Sequence, residues 1–301
     1  MADSKAVSVY PSARTGEGAA PVRTRGGDLW RRLTRNELAV AGGLILAVVA
    51  FAAVFAPYLS PEDPLEMNPT QLLQPPSADH WMGTDEFGRD ILSRVIWGAR
   101  ISLYVGAISV TIAVLAGVSL GLVAGYFGGL VDDLIARVLD VVFAFPTILL
   151  ALGIVGMLGP SLTNTMVAIG IVYTPVYARL ARGTTLAVKE RDFVEAAIVS
   201  GASSARIIGR HILPNVAAPL IVQTSLSLSL AILAEASLSF LGLGTQPPDP
   251  SWGTMVNTGQ RLIELSPWPV VFPGLAIVLA VLAFNLIGDG LRDALDPRLR
   301  A

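Results

Sequence analysis

Apolar residues in this chain arrive in long blocks separated by short stretches rich in glycine, proline or charge. The blocks cover about residues 38–56, 101–125, 134–158, 162–178, 217–244 and 270–288. Each is close to the roughly 20 residues that carry a helix across a bilayer. The pattern predicts an all-α integral membrane protein with six transmembrane helices. It also divides the chain. Residues 1–37 read as a polar cytoplasmic tail, disordered to about Gly27, with an amphipathic lead-in at 28–33 lying on the membrane surface. The first transmembrane helix, 38–56, ends at Pro57. An extracytoplasmic loop follows at 57–98, then a five-helix core at 99–290 carrying a polar loop at about 187–214, then a second cytoplasmic tail at 291–301.

Lys and Arg resist translocation, so their distribution orients the spans. With the N-terminus inside, 17 of the 21 basic residues are cytoplasmic and only Arg89, Arg94, Arg100 and Arg261 lie outside. The expected topology is N-in, C-in, with 195–214 in the cytoplasm. Trp81, Trp97, Trp252 and Trp268 fall in or beside the outer loops, where indole prefers to sit. A competing reading takes Ala50-Phe51-Ala52 as a signal-peptidase site. The apolar run continues to Ala56 and the leader would be unusually long, which favours a retained span.

Composition agrees with this setting: 53% of residues are hydrophobic, 15% are charged, and the mean hydropathy is +0.62. The absence of cysteine excludes disulfides, thiol catalysis and cysteine metal sites. His80, Asp85 and Asp90 share the first outer loop but lack the alternate acidic spacing of a calcium loop. A hydrogen-bonded cap over the bundle is expected there, with no metal and no cofactor. The basic residues are spread along cytoplasmic edges, a poor match to nucleic-acid binding.

Within the spans, Ala113, Gly117, Gly121, Gly125 and Gly129 recur every four residues, a small-residue face that lets another helix approach closely. Pro146 and Pro175 are expected to kink or interrupt spans three and four. Span five is the most polar, with Gln223, Thr224, Ser225, Ser227, Ser229, Glu235, Ser237 and Ser239. A carboxylate at mid-bilayer costs roughly 2.5–3.5 kcal/mol on insertion scales. Glu235 should therefore face a bundle interior, a wet cavity or the outer interface, and Gln223, Ser227 and Glu235 are candidate pathway-lining residues.

The loop at 195–214 is charged and broken by glycine, so it lies in water or docks on protein. Asp192-Phe193-Val194-Glu195 can form a capping box. Phe193, Ala196, Ala197 and Ser200 would then share a narrow face, and Gly201 would end the helix at positive φ. A second short helix at about 204–213 precedes Pro214. The two make a compact knob whose small side chains would admit a partner surface.

This segment resembles the coupling loop of ABC-transporter importer permeases, whose pattern is Glu-Ala-Ala, three residues, Gly, nine residues, Ile, any residue, Leu-Pro. Glu195, Ala196, Ala197, Gly201, Leu213 and Pro214 match, and His211 stands at the Ile position. His211 to Asn215 is similar to the peptide-importer branch. Further segments resemble the C-type permease of dipeptide and oligopeptide (peptide/nickel) importers: 83–85, 88–90, 93–94, 238–244, 247–248, 250–253, and 288–289 through 296–298. Nickel and glutathione importers share the subunit type.

The resemblance implies a type I importer permease fold in the bacterial plasma (inner) membrane. It implies pairing with a second homologous permease, two cytoplasmic ATP-binding subunits gripping the coupling loops, and an extracytoplasmic solute-binding protein delivering cargo. No catalytic residue is expected. The only lysines, Lys5 and Lys189, fit no phosphate-binding Gly-x-x-x-x-Gly-Lys-Ser/Thr loop, so ATP hydrolysis falls to other chains. A different class, the stand-alone secondary transporter with Glu235 as proton site, would favour unwound half-helices and an internal repeat. A structural scaffold would explain the packing glycines and leave the knob unexplained.

Overall fold

The computed structural model describes residues 33–295 together with Arg31. Apart from Arg31 and Leu33, the expected lead-in at 28–33 falls outside the described residues, as do the tail up to 27 and residues 296–301. The helices are α1 (Glu37–Val54), α2 (Ala56–Leu59), α3 (Ile91–Phe127), α4 (Gly129–Phe143), α5 (Thr147–Leu158), α6 (Leu162–Lys189), α7 (Asp192–Val199), α8 (Ser204–Arg206), α9 (Leu213–Phe240), α10 (Trp252–Gln260) and α11 (Trp268–Leu295). A π-helical turn, Ile207–Ile212, joins α8 to α9. Among the described residues there are no strands, only an isolated bridge between Thr84 and Asp90.

Four helical runs are long and apolar enough to cross a bilayer: α1, α3, the continuous run Ser204–Phe240, and α11. The expected third span is two helices, α4 and α5, bent by 89° at the break. Pro146 explains the site of the bend. Its extended backbone (φ −56°, ψ 130°) caps α5, and a proline disfavours helix at the residue before it. The half that precedes the bend carries Asp132, Asp133, Arg137 and Asp140, a charge load that a fully immersed helix would not hold. The fourth expected span, α6, has 28 residues, enough length, but is too polar to count with the other four. It runs unbroken through Pro175 to Lys189, eleven residues past the expected end, so that proline does not interrupt it.

The long helix α3 packs along α6 through the small-residue face. A methyl group on Gly117 would meet the Thr174 carbonyl and, at 2.6 Å, Tyr177 Cβ; one on Gly125 would lie 2.8 Å from Thr185 Cβ. Gly129 lies beyond α3 at φ +53° with open space around it, so the interface ends at Gly125. On the other side, α11 packs against α9 and α1. In α1 only Ala39, Gly42 and Ala53 are buried. Leu44, Val48, Leu115 and Val278 are exposed, while Ser102, Ser225, Ser227, Ser229 and Glu235 are buried. Large apolar side chains outside and small or hydroxyl-bearing ones inside is the arrangement expected where lipid is the solvent.

Candidate functional site

One end of the bundle is closed by residues 60–90 and by α10. Asp90 caps α3, its Oδ2 accepting from Ser93 N at 2.7 Å, which starts the helix ten residues before the apolar block. The other oxygen, Oδ1, lies 3.2 Å from His80 Nδ1, and His80 Nε2 lies 3.0 Å from Gln71 Oε1. Asp85 accepts from the backbone N–H of Phe87 and of Arg89 and from Arg89 Nε at 2.7 Å. Arg94 donates to the Pro64 carbonyl at 2.8 Å. The three residues weighed for a metal are thus engaged within the cap. Burial lifts the Glu62 carboxyl above the ordinary carboxylate range; His80 opposes that shift, and Asp90 and Glu66 add to it. Trp252, buried at the start of α10, donates its indole N–H to the Val95 carbonyl at 3.0 Å and so fastens α10 to α3.

Below this cap lies the polar part of α9. Glu235 is fully buried; its two oxygens accept from Ser239 Oγ at 2.7 Å and from Ser102 Oγ at 3.1 Å. Ser239 Oγ in turn accepts the Thr245 N–H at 3.2 Å. The carboxylate therefore ties α9, α3 and the start of the loop toward α10 into one network. Ser227 is buried and accepts from Gln223 Nε2 at 3.2 Å. Span-five polarity in the sequence pointed to this region, but Ser102 and Asn285 (3.1 Å from Ser229 Oγ) went unremarked because single polar residues in apolar blocks carry no pattern.

The opposite end presents the knob. Helix α7 starts at Asp192 with no side-chain cap; the Arg191 carbonyl accepts from Val194 N at 2.9 Å instead. The expected Asp192–Glu195 capping box is therefore not formed: Asp192 is already helical and cannot stand before the first turn. The helix ends as expected, at Gly201 with φ +77°. Gly201 N donates to Ile198 O at 2.9 Å and Ala202 N to Ala197 O at 3.1 Å, the paired bonds of a Schellman ending.

The expected narrow face is split. Val194 is buried, with Phe193 and Ala197 half-buried against the bundle core, while Glu195, Ala196 and Ser200 point to solvent. Ile198 and Val199 join them, Val199 at 82% exposure. Bundle contact claims the apolar stripe, and what remains outside is a surface of two carboxylates (Asp192 and Glu195), one alanine, one serine and two branched apolar side chains around a glycine elbow.

The second short helix is also different from expectation. It does not stop before Pro214 but continues into α9 through the π-helical turn. Pro214 supplies the reason: it has no N–H for an α-type bond, so the ladder widens, and Leu213 N–H reaches back to Ile208 O. Asn215 Nδ2 satisfies the His211 carbonyl at 2.6 Å. His211 is half-buried, whereas Leu213 and Pro214 are exposed at the base of the knob. On the flank, Arg182 pairs with Asp132 through two nitrogens and Arg179 with Asp140 at 2.7 Å, clamping α4 to α6 beside this end.

Residues 117–301 match the family described as binding-protein-dependent transport system inner membrane component. Residues 24–76 match the N-terminal TM domain of oligopeptide transport permease C. Among curated relatives, the dipeptide transport system permease protein DppC of Alkalihalophilus pseudofirmus is 49% identical, over 91% of this chain and 90% of that protein. The di/tripeptide transport system permease protein DppC of Pseudomonas aeruginosa is 48% identical, over 91% and 92%. The glutathione transport system permease protein GsiD of Pectobacterium atrosepticum is 46% identical, over 93% of each. Among solved structures, a chain of the MetNI methionine ABC transporter in an inward-facing conformation superposes with a TM-score of 0.56 at 17% identity, over 68% of this chain and 98% of that chain. That likeness concerns the fold alone.

Proposed function

The chain belongs to the binding-protein-dependent transport system inner membrane component family, and on that premise we propose that it works as one permease of an ATP-driven importer of di- and oligopeptides. It is a multi-pass permease subunit of the bacterial inner membrane. In the proposed assembly a second, related permease completes the pathway. A solute-binding protein docks on the capped, outer end, and two cytoplasmic ATPase subunits hydrolyse ATP. The coupling contact is the knob: Glu195, Ala196 and Gly201 at its tip, Ala197 and His211 supporting it, Leu213 and Pro214 at its base.

The observation that carries the reading is the Schellman-terminated elbow at Gly201, which exposes Glu195, Ala196, Ile198 and Val199 at the end opposite the cap. A branched apolar side chain such as Val199, held on a rigid turn rather than against lipid, is a surface made for a protein groove. Because Val194 and Ile207 are buried beneath it, force on the knob reaches α6 and α9 through packed side chains. Gln223, Ser227 and Glu235 are proposed as pathway-lining residues in a state in which the paired bundles have opened; in the single chain Ser227 and Glu235 are buried.

Glu195→Lys tests the coupling contact. Membrane insertion and permease pairing should be intact, while co-purification of the ATPase subunits and dialanine uptake fall at least tenfold, the equivalent of about 1.4 kcal/mol of contact energy. Wild-type uptake by Glu195→Lys would remove the knob from the coupling role.

A further inference from the structure

A pocket of about 860 Å³ opens at the capped end, between the beginning of the first outer loop, α3 and the residues just before α10. Glu62 and Asp63 line it from the loop, Trp97, Arg100 and Tyr104 from α3, and Asp249 from the approach to α10. Its size falls within the range of pockets that enclose small organic ligands.

The chemistry of its wall is unfinished. Arg100 is exposed, with its guanidinium 5.7 Å from the Trp97 ring centroid, and it has no carboxylate partner among the described residues. Asp249 is exposed and likewise has no cationic partner among the described residues. The Trp97 indole nitrogen is buried without an acceptor. Glu62, by contrast, is partly engaged, with His80 Nδ1 3.6 Å from its Oε1. A pocket that carries free charges of both signs beside two aromatic residues, Trp97 and Tyr104, lacks its complement within the chain. Deeper acidic sites on the cap do not share this property, because Asp85 and Asp90 are each spoken for by several donors.

We propose that this pocket is a reception site for short zwitterionic peptides, with Asp249 and Asp63 recognising the α-ammonium group and Arg100 recognising the α-carboxylate. Guanidinium–carboxylate pairs are strong when held in a partly enclosed site, and the aromatic walls tolerate varied side chains. A peptide released at the outer end would meet this pocket before entering the bundle. The ligand class rests on the peptide-import reading above; the unfilled chemistry does not.

The test uses the chain purified with its co-expressed partner subunits in lipid nanodiscs, without binding protein, and equilibrium binding of radiolabelled dialanine. Saturable binding is expected, competed by unlabelled dialanine and poorly by N-acetyl-dialanine or dialanine amide. Arg100→Ala and Asp249→Asn should each weaken it about tenfold, as loss of one charged contact worth about 1.4 kcal/mol would. Arg100→Lys should restore part of the loss. Asp249→Asn should also cease to discriminate against the acetylated peptide, and Arg100→Ala against the amide, effects that general misfolding would not divide between the two. No saturable binding, or binding as tight as wild type in both variants, overturns the pocket. A separate uptake assay with binding protein present addresses the reading beneath it: absence of dialanine import with Arg100-dependent binding intact would overturn peptide import and leave the site standing.

Discussion

Gly121 and Gly201 are glycines for opposite reasons. At Gly121 a methyl group would strike the Ala178 carbonyl and sit 2.7 Å from Ala181 Cβ, so helix contact excludes a side chain. At Gly201 nothing lies within 4 Å, and only the left-handed backbone at φ +77° demands glycine. Glu235 shows the same need to read a residue in its surroundings. Its carboxylate accepts from two serine hydroxyls on different helices, so truncation strands donors inside the bundle. Glu235→Ala is expected to lower the stability of the purified chain by about 1–3 kcal/mol for each stranded hydroxyl, followed as thermal unfolding in detergent. Glu235→Gln keeps an acceptor and should unfold close to wild type. Lost uptake in a Gln variant of normal stability is the outcome the pathway-lining role requires, and preserved uptake would remove the carboxylate from the transport path.

Among the elements, the broken span and the knob were the least legible in advance. Hydropathy sees 134–158 as one block, but the proline at 146 and the charges of α4 turn it through 89°. The π-turn before α9 arises the same way, from one missing N–H at Pro214 that the ladder must accommodate. The Schellman ending, in contrast, followed from a glycine placed just past a helical segment. It yields a prediction that belongs to the element. Gly201→Asn should retain coupling, because Asn tolerates the left-handed region, whereas Gly201→Val should reduce peptide-dependent ATPase stimulation by straining the turn by roughly 1–2 kcal/mol. Since space at this position is open, equal behaviour of the two variants would show that backbone conformation is not what glycine supplies.

For the whole molecule, polarity is turned outside in: among the described residues many hydroxyls and the carboxylates of Asp85, Asp90 and Glu235 are buried, many leucines and valines are exposed, and the two ends differ in kind. One end is a knitted cap with a pocket, the other a protruding elbow. The proposed assembly would place partners at both ends, and the sequence has no phosphate-binding loop of its own. Reconstituted alone in liposomes under a proton gradient, the chain should accumulate no dialanine above the leak of empty vesicles. Robust gradient-driven uptake would favour the secondary transporter and reject dependence on ATPase subunits.

Periodicity and charge in the sequence were sufficient for the class of fold, the positions of most spans, the small-residue seam of α3 and the glycine elbow, since each is written in local chemistry: block length, spacing of four, a residue permitted at positive φ. What the chain could not reveal by itself was which side of the knob faces inward. Val194 and Ala197 took the bundle and left Ile198 and Val199 in solvent because α6 and the π-turn pack against this helix. The Ser102 partner of Glu235 and the meeting of Trp97 and Arg100 with Asp249 were equally hidden, since they join segments far apart in sequence. Such groupings exist only after distant helices have packed, and packing depends on shape complementarity along whole helices, which no short pattern of residues encodes.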